Sequence, residues 1–406
     1  MATNSRSLVP VRRTLAVPSS VSRRMFLRTA GAGGLALGTA ALLAACGTPA
    51  RQGAQPGAAA EDLSDTEKLL NFSNWPLYID YDDAEEGRPS LEAFEDATGI
   101  TVTYTEEIND NAEFFGKVQN QLSNGQATGR DVVILTDWMA ARLVGLGWLQ
   151  ELDKANLPNV EANLLDNLRS PSWDTDRSYS VPWQSGMTGI AYNAAAIGEI
   201  RSMEEMLTKP ELKGRVTFLS EMQDAMGLIL LNMGKKPGDF TDADFEAAIE
   251  RLQGAVDAGQ IRSFTGNDYA QDLVQGNIVA AMAWSGDVIQ LQFENPDIKF
   301  IAPEEGLMLW SDNMLVPTGA AHKKNAEALM NHYYDPAVAA QVAAWVNYIS
   351  PVAGAREEME KIDPALAENP LIFPDEDFLA QTNLFKGMTE EEERKYNELF
   401  QQVIGA

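Results

Sequence analysis

Short apolar runs alternating with amphipathic helices constrain this chain more than any other feature. Asp131-Val132-Val133-Ile134-Leu135 reads as a strand buried on both faces, the kind found inside parallel sheets. Leu69 to Ser73 reads as a first strand, and Pro89-Ser90-Leu91-Glu92-Ala93-Phe94-Glu95 starts a helix that Gly99 caps. Ile100 to Tyr104 alternates as a strand does, and a helix follows from about Ala112 to Leu122. The pattern restarts with a strand at Val216 to Leu219. Ser220 and Gln223 are spaced as a capping box for the next helix. Ile278 to Ala283 is a further buried strand delivering Trp284 at its end, and Met314-Leu315-Val316-Pro317 is a short strand of the first-lobe type. Helices at about 322–334, 335–346 and 388–404 finish the chain. This order predicts an α/β fold with mostly parallel sheet, in which ligands bind beyond the carboxyl ends of strands. At 406 residues the chain exceeds what one core supports, so two lobes are expected.

The formal charge is −28. All six basic residues before Cys46 lie in a segment without acids; removing them leaves 25 basic against 59 acidic residues, a net charge of −34. Nucleic acid is disfavoured as a partner, because its phosphates would be repelled. The excess suits a cationic ligand, or a saline habitat in which acidic surfaces keep proteins soluble. One cysteine excludes an intramolecular disulfide. With His322 and His332 the only histidines, metal binding through Cys or His and a histidine-based triad have little material.

Residues 1–45 read as a targeting segment. Ser22-Arg23-Arg24-Met25-Phe26-Leu27-Arg28 resembles a twin-arginine export motif, and an apolar run from about Ala30 to Ala45 follows it. Leu43-Ala44-Ala45-Cys46 looks like a bacterial lipobox, in which Cys46 is lipid-modified and heads the mature protein. The alternative is a short membrane helix with an incidental cysteine. Residues 46–65, rich in Gly, Pro, Ala and Gln up to Ala60, read as a tether. The mature protein is expected outside the cytoplasmic membrane, lipid-anchored.

Aromatics and acids gather where strands end and helices begin. Trp75 and Tyr78 follow the first strand, and Thr136 and Trp138 follow the strand at 131–135. Glu221 and Asp224 sit in the first turn of a helix. Trp284 and Asp287 follow the strand at 278–283, Trp310 and Asp312 precede the next, and Tyr348 lies in a loop. An aromatic face attracts cations and a carboxylate pairs with them, so repeated pairs suit a small organic cation of more than one charge. Each group has a plainer reading: tryptophans as core, acids as solvated or complementing a helix dipole, tyrosines as amphipathic rim.

From about Leu69 onward the chain resembles the periplasmic polyamine-binding proteins of ABC importers, the spermidine and putrescine receptors. The resemblance rests on Asn74-Trp75-Pro76-Leu77-Tyr78, Asp131-Val132-Val133, Tyr179-Ser180-Val181-Pro182-Trp183, Trp284-Ser285-Gly286-Asp287, and Glu304-Glu305-Gly306 leading to Trp310-Ser311-Asp312. It implies a two-lobed fold with an interlobe cleft and crossing hinge strands, one lobe at 66–188 and 313–356, the other at 189–312 and 357–406. It places ligand aromatics at Trp75, Tyr78, Trp138, Trp284, Trp310 and Tyr348, acids at Glu221, Asp224, Asp287 and Asp312, and a hydroxyl at Thr136. Two departures bear on the choice of polyamine: Leu77 stands where the family often has an acid, and Phe385 where spermidine-type receptors have a glutamine. The implied partners are a polyamine and an ABC permease, with a monomeric receptor, no cofactor, no metal and no enzymatic activity. Other readings are a receptor of the same fold for another organic cation such as a betaine, an extracytoplasmic enzyme using Glu221 and Asp224, and a lipoprotein scaffold without ligand.

Overall fold

The computed structural model describes residues 59–82 and 87–405. The targeting segment, Cys46 and the start of the tether fall outside these residues. The end of the stretch expected as tether lies against the fold: the Ala60 and Leu63 N–H groups donate to the carbonyls of Thr318 and Ala321, and Ser64 is buried.

Parallel strands β1 (Leu69–Asn74), β2 (Thr101–Glu106) and β3 (Val132–Thr136) form one part of the sheet. Gly99, at φ 68°, ends the helix Pro89–Thr98 in the left-handed conformation that glycine adopts without strain. Next come β4 (Ser180–Asn193), β5 (Val216–Leu219), β6 (Ile261–Thr265), β7 (Ala280–Trp284), β8 (Ile298–Ile301) and β9 (Leu307–Leu315). The sheet order is β2-β1-β3-β9-β4-β7-β5-β6, with β8 on β4. β5 runs parallel to β6 and β7, so a second parallel set lies across the sheet from the first.

Two long antiparallel strands join these sets. β9 pairs with β3 through residues 312–315 and with β4 through residues 308–315. The second half of β4 pairs with β7 and β8. β4 is buried over all but its last residue, and its pairing with β9 shifts register between Pro182 and Ser185, where proline cannot donate to the ladder.

Two expectations are corrected here. The strand expected at 314–317 runs instead from Leu307 to Leu315, so Trp310 and Asp312 lie within it. Its polar residues tolerate burial because each finds a partner: Ser311 with Ser185, Asp312 with the Tyr78 hydroxyl, and Asn313 with Arg177 and Asp137. The capping box at Ser220 does not form. The helix Met222–Asn232 has Glu221 at its N-cap without a side-chain cap, and the Ser220 hydroxyl donates to Asp110 instead.

Candidate functional site

The parallel strands of both sets deliver their carboxyl ends to one pocket, lined by side chains from both. After β1, the Asn74 side chain accepts from the Trp75 N–H at 2.9 Å and donates to the Tyr78 carbonyl at 3.2 Å, folding the loop so that Trp75, Pro76 and Tyr78 line the pocket. Leu77 takes the turn at φ 56° and points half-exposed away from the core. β3 supplies Thr136, and the start of the helix Asn111–Ser123 supplies Asn111.

From the other set come Glu221 and Asp224 after β5, Asn267 after β6, and Trp284 and Asp287 at the end of β7. Trp310 and Asp312 enter from β9, and Tyr348 follows the helix Pro336–Val346. Ten of the eleven expected ligand residues thus converge. Trp138 does not: it packs partly buried against the core from the helix Asp137–Gly145. Asn111 and Asn267 line the pocket without having been singled out. Their signal, an amide at a strand-to-helix junction, is too common in sequences to stand out.

The walls are rings set edge to face. Trp75 meets Trp284 at 5.9 Å and 80°, Trp284 meets Trp310 at 6.4 Å and 76°, and Tyr78 meets Tyr348 at 5.1 Å and 85°. Trp310 and Tyr348 lie 5.5 Å apart. The Trp75 indole is anchored on the Ile134 carbonyl at 3.1 Å and the Trp310 indole on the Thr188 hydroxyl at 3.1 Å. Gly186 and Gly286 make room for these rings, since a methyl at either position would overlap Trp310 or Tyr348.

Four carboxylates face this aromatic box, and the lining holds no Lys, Arg or His. Asp312 accepts from the Tyr78 hydroxyl at 2.9 Å through Oδ2, while its buried Oδ1 has no hydrogen-bond partner. Asp287 accepts from the Tyr348 and Tyr269 hydroxyls, each at 2.7 Å, and from Asn267 at 2.8 Å. Asp224 accepts from the Thr188 hydroxyl and, at 3.4 Å, from the Trp284 indole. Glu221 accepts from the Asn111 N–H at 2.7 Å and its side-chain amide at 2.9 Å.

Burial pushes all four acids up. Asp312 rises to about 7 and Asp224 to about 6, in each case against hydrogen bonds that favour the charge. Burial raises Glu221 well above the carboxylate range, helped by the charge of Asp110, and burial also raises Asp287. The arrangement leaves buried negative charge short of a counter-charge, so a ligand bringing ammonium groups is stabilised here and an anion is repelled. Among the described residues no group of three or more His, Cys, Asp or Glu is set to hold a metal ion, and no helix is long and apolar enough to cross a membrane.

Known proteins share this architecture. The chain is 26% identical over 315 residues to the spermidine/putrescine-binding periplasmic protein of Escherichia coli (strain K12), covering 77% of this chain and 85% of that protein. It is 29% identical over 339 residues to the putrescine-binding periplasmic protein of the same organism, covering 79% and 86%. A solved structure from Listeria monocytogenes, assigned to a spermidine/putrescine ABC transporter, matches with a TM-score of 0.72 at 27% identity, over 83% of this chain and 99% of that one. These neighbours have the two-lobed fold of periplasmic binding proteins. Residues 90–374, well over half of the sequence, match the bacterial extracellular solute-binding proteins, and the chain belongs to that family.

Proposed function

We propose that the protein is the extracytoplasmic receptor of an ABC importer for polyamines of the putrescine and spermidine type. One observation carries this reading: four carboxylates and a wall of aromatic rings share a pocket without a basic side chain. A linear polyamine is a run of methylenes interrupted by ammonium groups. The rings of Trp75, Trp284, Trp310, Tyr78 and Tyr348 suit the methylenes and add cation–π attraction of about 0.5–2 kcal/mol each. Asp312, Asp224, Asp287 and Glu221 suit the ammonium groups through charge-assisted bonds. The relatives named above support the ligand class.

We assign 66–188 and 313–356 to one lobe and 189–312 and 357–406 to the other, joined through β4 and β9; the helix Ala355–Ile362, whose Met359 packs with Ala340 and Ala343, extends the first lobe past 356. Ligand touching both lobes favours the closed form, which a permease then receives. A monomer held to the outer face of the cytoplasmic membrane by lipid on Cys46 fits the sequence before residue 59. The receptor breaks no bond.

Titration calorimetry on the protein produced without residues 1–46 tests this reading, with putrescine, spermidine, spermine and betaine at two salt concentrations. Saturable one-to-one binding of a polyamine, little weakened by salt, is the expected result. Heats without stoichiometry that vanish with salt would reduce the interaction to surface charge, and one-to-one binding of betaine alone would move the receptor to another cation.

A further inference from the structure

The segment 109–111, between β2 and the helix Asn111–Ser123, belongs to the first parallel set yet is clasped by loops of the second. Asn109 donates to Asp268 at 3.3 Å, and the Ser220 hydroxyl donates to Asp110 at 2.6 Å. A methyl on Gly266 would collide with the Asn109 carbonyl, so the two backbones run in close contact. At the centre is Asn111, 1% exposed. Both hydrogen bonds described for Glu221 come from Asn111, the backbone N–H at 2.7 Å and the side-chain amide at 2.9 Å, and both fall on Oε1. On its own side, the Asn111 amide also donates to the Thr136 hydroxyl at 2.8 Å, and its carbonyl oxygen accepts from the Thr136 N–H at 3.1 Å. One side chain therefore spans two pocket residues that different parts of the sheet deliver.

This arrangement exists only while the two parts are together. Both donors reach Glu221, the N-cap of the helix Met222–Asn232, from the other parallel set, so parting of the lobes would remove them. When the lobes close, the first N–H of a thirteen-residue helix, where the helix dipole favours an anion, takes hold of it. We propose that Asn111 is a positioning residue for the ligand: it fixes Glu221 toward the pocket as the cleft closes and so couples capture of the cation to closure. This rests on the polyamine reading and adds to it a residue that does not itself supply charge. It also gives Glu221 a role different from Asp312, whose Oδ2 accepts from the Tyr78 hydroxyl and which takes no hydrogen bond from Asn111.

A double-mutant cycle separates this role from simple support of one lobe. Asn111→Ala and Glu221→Ala are made singly and together, and spermidine affinity and dissociation are followed through the tryptophans of the pocket. Asn111→Ala is expected to weaken spermidine binding by about tenfold or more, mostly through faster dissociation, as loss of a hydrogen bond to a charged group does. In the Glu221→Ala background the same substitution should change affinity by less than about twofold. Equal losses in the two backgrounds would mean that Asn111 merely braces Thr136, and would overturn the inference while leaving the polyamine reading in place. Failure of the unmutated protein to bind spermidine would remove both. Should Asn111→Ala not fold, Asn111→Ser carries the same cycle with the same two outcomes.

Discussion

Lowering the pH from 8 to 5 at constant ionic strength should weaken polyamine binding by about a thousandfold. Burial raises Asp312 to about 7 and Asp224 to about 6 in the ligand-free protein. An ammonium group pairs with the ionised acid, so any proton held there must leave before binding. Each acid multiplies the apparent Kd by one plus ten to the power of its pKa minus the pH, which at pH 5 is about 100 for Asp312 and about 11 for Asp224. At pH 8 both factors are close to one. Putrescine is the ligand for this series, because its two primary ammonium groups titrate near the lysine range and keep their charge over the interval. Burial also raises Glu221 and Asp287, which steepens the loss further. Calorimetry in two buffers of different ionisation heat measures both the affinity and the protons displaced, and at pH 6 about 1.4 protons should leave per ligand from these two aspartates. Circular dichroism across the series checks that the fold persists. An affinity that varies by less than about threefold from pH 8 to 5, or a ligand taken up without proton release, would refute the idea that burial holds these acids partly protonated.

Three further outcomes are expected. Asp312→Asn should weaken polyamine binding by at least about a hundredfold, since it removes a buried counter-charge. It should nevertheless raise the ligand-free melting temperature at pH 8 by a few degrees. A raised folded pKa means the native state binds more protons than the unfolded chain, so ionised Asp312 destabilises above the ordinary carboxylate range and the amide does not. Thermal melts of both proteins from pH 5 to 8 give the check: the gain should shrink as pH falls, and a lower melting point for Asp312→Asn throughout would contradict it. Gly286→Ala should push the Tyr348 ring out of place, break its 2.7 Å bond to Asp287, and cost about tenfold in affinity with about 1–3 kcal/mol of stability, read by calorimetry and denaturant melts. Trp138→Ala should leave polyamine affinity unchanged, because that ring packs outside the pocket; a large loss would return it to the site.

The aromatics and acids were legible because the rule that exposes them is local. Strands such as Val132–Thr136 and Ala280–Trp284 announce themselves by composition, and whatever follows a parallel strand lies at its carboxyl end, where ligands bind. Trp138 fits that rule as well as Thr136 does. Only packing turns Thr136 toward the pocket and lays Trp138, half-buried, against the core outside it, and no pattern of neighbours in the chain encodes that choice. Ser220 shows the converse: its spacing to Gln223 makes a local cap, but Asp110, 110 residues earlier, offers a hydrogen bond that competes and wins.

The sequence by itself determined the α/β class, the strands near 69–74, 101–106, 132–136, 216–219 and 280–284 to within a residue or two, and the chemical types that gather at strand ends. Those follow from periodicity, glycine punctuation and the short reach of turn chemistry. Tertiary structure decided β4 altogether, the reach of β9 back to Leu307, the way these two strands join the two parts of the sheet, and the union of Asn111 with Glu221. The reason is physical: a polar run such as Trp310-Ser311-Asp312-Asn313 is a poor buried strand until partners far along the chain satisfy it. An acid likewise becomes a cation-seeking group only when folding has stripped it of water and left it without a counter-charge.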